Sequence, residues 1–431
     1  MILGQIVPLI LGIRPEFIIF GVTLLGVALF HRHTLIVALA GLAAILVFKF
    51  IFIADFNLAE HLFGHVSFAD QILNKEMRVG EWSILLNLLG LLIGFAILSR
   101  HFEESNVPEY LPNLLPNDWK GPLVLLVAVF VLSSFLDNIA AALIGGTIAL
   151  VVFQRKVHIG YVAAIVAASN AGGSGSVIGD TTTTLMWIEG VNPFNVLHAY
   201  IAAFSALAFF SVFASLQQHK YQPIQKDAKS GVKIDWIRIG VVAMILLLTI
   251  LTNVFFDFPA LGVWVAILIG AFIRKTDWAE AKNSVSGSIF LIALVTCASL
   301  MPVNELPSAS WQTAFVLGFV SSVFDNIPLT KLALEQNGYD WGMLAYAVGF
   351  GGSMIWFGSS AGVAITNKFH EARSVFNWLK AGWHILIAYI IGFFVLLILW
   401  GWEPQVIEKK TGSVPKTNTI HQEPISGGGN N

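Results

Sequence analysis

The sequence predicts an all-α polytopic membrane protein: two inverted repeats of five spans, each with a re-entrant hairpin and a broken helix. Three observations carry that prediction. Hydrophobic residues make up 56% of the 431 residues and charged residues 12%, about half the charge of a globular chain. Long apolar runs follow one another with short polar breaks, as a hydrocarbon core about 30 Å thick demands. Two unrelated motifs also occur twice, in the same order. With a net charge of −2 nothing suggests a polyanionic partner, so no nucleic acid is expected. The single cysteine, Cys297, lies in an apolar run and reads as packing. The start, MILGQIVPLILGIRPEF, lacks the basic region of a secretory signal and reads as part of the mature chain.

Apolar segments read as spans at 16–31, 34–53, 81–100, 159–190, 195–216, 236–256, 260–273, 288–303, 343–366 and 383–401. Residues 2–12 are apolar but short, either an interfacial segment or a partial span. Polar stretches at 54–80, 217–235 and 274–287 separate spans. The stretch 402–431, ending Gly-Gly-Gly-Asn-Asn, reads as a disordered tail.

Residues 122–153 do not fit a single span. As one helix they would run about 48 Å, too long for one crossing and too short for two. Their middle carries Asp137-Asn138, so two arms meeting at a polar tip, a re-entrant hairpin, fit better. Such backbone survives at membrane depth only where protein or a wet cavity surrounds it. The second hairpin, at about 308–338, is placed by the repeat.

Ser133-Ser134-Phe135-Leu136-Asp137-Asn138-Ile139 recurs 188 residues downstream as Ser321-Ser322-Val323-Phe324-Asp325-Asn326-Ile327. Gly172-Gly173-Ser174 and Gly179 recur as Gly351-Gly352-Ser353 and Gly358. Duplicated halves with the site at their interface are the reading such a pattern supports. The chain then divides into a first repeat at 1–216, a cytoplasmic linker at 217–235, a second repeat at 236–401 and the tail. With that linker cytoplasmic, most Lys and Arg fall on the cytoplasmic side. The first hairpin enters from the cytoplasm and the second from outside. Five spans per half is an odd number, which inverts one half relative to the other.

A charge at the bilayer centre costs about 2.5–3.5 kcal/mol even on the mild insertion scale. Asp137, Asp180, Glu189 and Asp325 lie within the apolar segments, with Lys49 and Lys331. Lys49 and Glu189 are near span ends, and Lys49 can snorkel. Lys331 either pairs with an acid or reaches outward. Asp137, Asp180 and Asp325 have no such escape, although each Asp-Asn tip also suits a helix N-cap. Ser169-Asn170-Ala171-Gly172-Gly173-Ser174-Gly175-Ser176 interrupts the span 159–190, since so many small and polar residues continue a helix poorly. A broken span exposes carbonyls on one side and amides on the other, which suits a dehydrated cation. Asp180 and Thr181 to Thr184 follow where the helix resumes. The matching break, Gly349 to Gly362, holds Ser353, Ser359 and Ser360 but no acid. A phosphate loop is disfavoured, because no Gly-Lys-Ser/Thr follows. No Cys/His cluster has metal-site spacing, and His31 and His33 flank a basic loop as solvated groups.

With these motifs the chain resembles the ion transporter superfamily, in particular the NhaD-type sodium/proton antiporters. The resemblance rests on Asn170-Ala171-Gly172-Gly173 with Ile178-Gly179-Asp180-Thr181-Thr182-Thr183-Thr184-Leu185-Met186-Trp187-Ile188. Asp325-Asn326-Ile327-Pro328, Gly351-Gly352-Ser353-Met354 and Gly358-Ser359-Ser360-Ala361-Gly362-Val363 extend it across roughly 80–400. It departs at Ser174-Gly175-Ser176-Val177, which bears on substrate rather than fold. The resemblance implies a homodimer, each subunit with a scaffold and a moving transport domain, multi-pass in a bacterial inner (plasma) membrane and in contact with its lipid.

The resulting expectation is a secondary transporter, first a Na⁺(Li⁺)/H⁺ antiporter with no cofactor beyond the transported ions. Asp137, Asn138 and Asp180 would hold Na⁺. Asn170, Gly172, Gly173, Ser174, Thr181 and Thr182, with Asp325, Asn326, Gly352, Ser353, Ser359 and Ser360, complete the binding region. An all-oxygen cage suits a hard cation. The rival reading is a Na⁺- or H⁺-coupled di- or tricarboxylate carrier, of the citrate or succinate kind. An intramembrane hydrolase is disfavoured, because no nucleophile–base pair is apparent.

Overall fold

The computed structural model describes residues 9–10, 12–30, 33–225 and 232–408. Among them there is no strand beyond one isolated bridge. His31, most of the segment 2–12, residues 226–231 of the linker and the tail after Glu408 lie outside the described residues.

The chain opens with α1 (Pro15–Leu29) and α2 (Thr34–Phe52), followed by the short α3 (Leu58–Phe63) and α4 (Phe68–Leu73). Next come α5 (Trp82–Glu103), α6 (Val107–Tyr110), α7 (Lys120–Ser133), α8 (Asn138–Val152), α9 (Ile159–Gly173), α10 (Thr181–Ile188) and α11 (Ala199–Tyr221). Then follow α12 (Trp236–Phe256), α13 (Pro259–Ile273), α14 (Trp278–Ser299), α15 (Trp311–Ser321) and α16 (Asn326–Gln336). The last four are α17 (Trp341–Gly351), α18 (Ser360–Thr366), α19 (Val375–Ala381) and α20 (Trp383–Leu399).

Residues 57–83 form a compact unit of their own. Its core is polar: Gln71, fully buried, donates to the carbonyls of Phe63 and Val66 and accepts from the Val79 amide and the Trp82 indole. The expected polar stretch 54–80 is therefore partly helical.

In the main unit five helices, α2, α5, α11, α12 and α14, are long and apolar enough to cross a bilayer. They coincide with five of the ten expected spans. A sixth arises if α19 and α20, bent by 64°, count as one. Large apolar side chains stay exposed around the outside, among them Phe272 at 93% and Ile398 at 79%. Alternation along α12 shows why: Val241, Val242, Ile245 and Thr249 pack inward, while Leu247, Leu251, Val254 and Phe255 face out. Such a belt is an aggregation hazard in water and a solvent match in lipid. The chain is a multi-pass membrane protein.

Two expected boundaries move. The stretch 274–287, read as polar connection, is helical from Trp278, because Asp277 accepts from the Ala279 amide and caps α14 ten residues early. Residues 375–381, outside every expected span, form α19, capped by Ser374.

The interior is built on α9 and α17. Every residue from Gly160 to Gly173 and from Trp341 to Gly351 is buried. α7 and α11 pack on α9, and α15 and α20 pack on α17. Across the two halves the contacts are reciprocal: α10 packs on α16, and α18 packs on α8.

Candidate functional site

The site grows from two places where helices stop. α7 ends at Ser133 and α8 restarts at Asn138, and Asp137 between them accepts from the Ile139 amide as the N-cap. α15 and α16 repeat this arrangement, with Asp325 accepting from the Ile327 amide. Nearby, α9 ends at Gly173 and α10 begins at Thr181, capped by Asp180 through the Thr182 amide. α17 ends at Gly351 and α18 begins at Ser360, capped by Ser359 through the Gly362 amide.

Equivalent hydrogen bonds stitch each tip to its break. The Ser133 hydroxyl donates to the Ser169 carbonyl at 2.6 Å, and the Ser321 hydroxyl to the Val348 carbonyl at 2.7 Å. The paired glycines are explained by close approach. A Cβ on Gly172 would stand 2.1 Å from the Phe130 carbonyl oxygen, and one on Gly351 would stand 2.3 Å from that of Gly318. No side chain fits there, and the threonine run secures the first break. Thr183 donates to the Ser176 carbonyl at 2.6 Å and Thr184 to that of Val177 at 2.9 Å.

Between the breaks lies a buried polar chain. The Asn138 amide nitrogen donates to Asn170 Oδ1 and to Asp180 Oδ1, both at 3.0 Å. Asn170 in turn donates to Ser353 Oγ at 2.9 Å, crossing from one half to the other. Thr181 Oγ1 lies 3.4 Å from Asp180 Oδ1. Asp180 is 1% exposed. Three buried oxygens here, Asn138 Oδ1, Asp180 Oδ2 and Thr182 Oγ1, have no hydrogen-bond partner among the described residues. Buried polar atoms are rarely left so. A set made of a carboxylate, an amide oxygen and a hydroxyl is the donor chemistry of a hard cation.

The second half lacks this chain. Asn326 matches Asn138, yet its amide nitrogen has no partner among the described residues. The positions matching Asn170 and Asp180 are Gly349 and Ser359. A Cβ on Gly349 would stand 3.2 Å from Asp180 Oδ2, so the bare glycine leaves room beside that oxygen.

The remaining expected residues fall into place around this centre. Ser360 donates to Asp325 Oδ2 at 3.2 Å. The Gly172 carbonyl accepts from Ser134 at 3.1 Å and from Tyr200 at 3.2 Å, while Gly173 and Gly352 contribute backbone at the helix ends. Ser174 is buried, but its hydroxyl donates back to the Ala171 carbonyl at 2.8 Å. Lys331 is fully buried and pairs with Glu189 of the first half and with Glu335 at 2.7 Å. Pairing, not reaching outward, is its solution. Lys49 sits 5.3 Å from the centre of the Phe56 ring.

Two cavities reach the acids. One, of about 390 Å³, runs from Arg100, Glu103 and Glu280 past Ser284 and Ser288 to Asp137, Thr181 and Ser360. The other, of about 540 Å³, runs from Thr34, Asn283 and Asn367 to Asp325 and Ser360. Both therefore approach from the N-terminal end of α14, along its polar face. Reading 274–287 as a connection hid this lining, because the residues that lower the segment's hydropathy are those facing the cavities.

A family model described as "Citrate transporter" (CitMHS) matches residues 17–351. "Sodium/proton antiporter 1" of Arabidopsis thaliana is 25% identical over 309 residues, covering 60% of this chain and 53% of that protein. "Na(+)/H(+) antiporter NhaD" of Vibrio cholerae is 26% identical over 329 residues, covering 63% of this chain and 68% of that one. The protein of the same name from Alkalimonas amylolytica is 26% identical over 334 residues, covering 63% and 67%. The chain thus spans about half the length of the plant relative and about two thirds of the bacterial ones. With the match running through both Asp-Asn motifs and the first break and ending at residue 351, this chain belongs to the citrate-transporter family within the ion transporter superfamily.

Proposed function

We propose that the chain exchanges Na⁺ (or Li⁺) for H⁺ by alternating access, with Asp180 and Asp137 as the groups that hold one or the other. The observation that carries this reading is the Asp180 carboxylate. One oxygen is held by Asn138 and Thr182, the other is buried beside Gly349 with no hydrogen-bond partner, and no basic side chain pairs with either among the described residues. An uncompensated buried charge is costly. Such a carboxylate is stabilised by a bound cation or by a proton, and the two exclude each other. Competition at one group is sufficient for antiport, provided the group faces one side at a time. Asn138 Oδ1, Thr182 Oγ1 and nearby carbonyls complete an oxygen cage. The names of the relatives support the same exchange.

The second reading is a coupled carboxylate carrier, favoured by the description of the family model. Its difficulty is electrostatic. At an effective dielectric near 20, each carboxylate about 5 Å from a substrate charge contributes on the order of 3 kcal/mol. That is repulsion for a dianion and attraction for Na⁺, and the one arginine lining either cavity, Arg100, already pairs with Glu103, Glu104 and Asp277.

In this reading α7–α8 and α15–α16 are re-entrant hairpins entering from opposite faces of inverted repeats, in a homodimer of a bacterial inner membrane. The stitching of each tip to its break and the reciprocal packing across halves support it. In a Cys297→Ser background, Asp118→Cys and Lys156→Cys should be labelled from one face only, and Ser308→Cys and Gly338→Cys from the other. Labelling of 118 and 156 from opposite faces would make the first pair a plain span.

The deciding experiment is Na⁺-driven proton flux in proteoliposomes, with citrate and succinate uptake run alongside. The expected result is Na⁺-dependent proton release whose apparent Na⁺ affinity strengthens as pH rises, since fewer protons then compete. Sodium-driven carboxylate uptake without Na⁺/H⁺ exchange would give the site to the rival.

A further inference from the structure

A second cavity system lies where α8 ends and α9 begins. It has a volume of about 610 Å³, and its lining includes Arg155, Lys156, His158, Lys380, Asn377 and Glu371. None of the side chains of Arg155, Lys156 and Lys380 makes an ion pair or hydrogen bond among the described residues, so three cations face one carboxylate across open space.

The backbone holds two of these cations side by side at some cost. Gln154 and Arg155 take φ of 50° and 61°, a left-handed conformation that non-glycine residues seldom adopt in succession. The turn is locked by the Arg155 amide on the Leu150 carbonyl at 2.8 Å and the Lys156 amide on that of Phe153 at 2.9 Å. The third cation comes from α19. That short helix also leaves Phe376 73% exposed and Leu379 41%, and Trp383 follows at 40%. A cationic hollow thus adjoins an apolar surface at the ends of membrane helices.

We propose that this hollow binds the phosphate headgroup of an anionic phospholipid, whose acyl chains lie along Phe376, Leu379 and Trp383. Basic pockets between membrane helices recognise such headgroups, each cation near the surface contributing about fivefold in affinity. A free anion would satisfy the cations but leave the apolar surface unused, which is why a lipid is the better fit. The site is also tied to the transport centre. Trp378 of α19 is buried and donates its indole N–H to the Ser353 carbonyl at 3.2 Å, and Ser353 Oγ accepts from Asn170.

The test uses purified full-length protein and does not depend on which ion is carried. Phosphatidylglycerol and phosphatidylcholine are added in equal amounts and bound lipid is counted by native mass spectrometry. The wild type should retain phosphatidylglycerol preferentially. A triple Arg155→Gln, Lys156→Gln, Lys380→Gln variant should lose on the order of a hundredfold in that affinity. All three residues are exposed, and gel filtration checks that the variant stays folded. Phe376→Ser should weaken lipid retention, Lys120→Gln should leave it unchanged, and excess inorganic phosphate should not displace the lipid. Undiminished preference in the triple variant would overturn the proposal, as would an equal loss in Lys120→Gln. Displacement by phosphate would mark a free-anion site instead, and equally overturn it.

Discussion

Replacing Asp180 by Asn separates the charge of this residue from its shape. Its Oδ1 accepts from Asn138 Nδ2 at 3.0 Å and from the Thr182 amide at 3.3 Å, and an asparagine Oδ1 accepts both. The new NH₂ would occupy the position of Oδ2, where no partner stands and Gly349 leaves space. The α10 cap therefore survives, and stability should change by less than about 1 kcal/mol. The ion sees something different. A unit charge about 4 Å away at an effective dielectric near 20 is worth about 4 kcal/mol, close to three decades in affinity. The titratable proton is lost as well. Asp180→Asn should therefore insert and melt like the wild type while Na⁺-coupled proton flux in proteoliposomes disappears. Ser359→Ala, which removes only the cap of α18, should cost about 1 kcal/mol in stability and merely weaken transport. Wild-type exchange at wild-type Na⁺ affinity in a well-folded Asp180→Asn protein would remove Asp180 from the site and refute the reasoning.

Other outcomes follow from single contacts. Gly349→Ala places a methyl 3.2 Å from Asp180 Oδ2 and should weaken apparent Na⁺ affinity roughly tenfold with little loss of stability, measured by flux and by thermal unfolding. Gly172→Ala, whose Cβ would meet the Phe130 carbonyl oxygen at 2.1 Å, should instead destabilise by about 1–3 kcal/mol or more, because that oxygen belongs to backbone. Gly351→Ala should behave alike. Lys331→Met strips the buried partner from Glu189 and Glu335 and should cost about 3–5 kcal/mol in unfolding measurements. A triple variant that also neutralises both acids to Gln should recover much of that loss.

Much of this architecture was legible in the sequence, because membrane depth makes polarity expensive. Asp137-Asn138, Asp325-Asn326 and the glycine-rich breaks stood out against apolar surroundings, and the structure gathers them at one place. Chemistry was less legible than position. Ser174 sits at the break, but its hydroxyl turns back onto Ala171, a rotamer choice that no sequence spacing encodes. One partner of Lys331, Glu335, is four residues on, but the other, Glu189, lies 142 residues away, so only packing could identify it. The start of α14 was hidden because Glu280, Asn283, Ser284 and Ser288 lower its hydropathy while lining the two cavities. α19 was missed because seven residues carry too little periodic signal beside the longer α20.

The room left at Gly349 also bears on why Asn326 lacks the partners that Asn138 has. Drift could in principle restore the missing partners of Asn326 through Gly349→Asn and Ser359→Asp. The two breaks, however, meet face to face: Asn170 reaches Ser353, and position 349 looks onto Asp180. A side chain at 349 would enter the space beside the first carboxylate, and a second aspartate would bring another negative charge to the same pocket, where like charges oppose joint ionisation. On the proposed function, glycine at 349 and serine at 359 keep a second side chain and a second charge away from the Asp180 carboxylate.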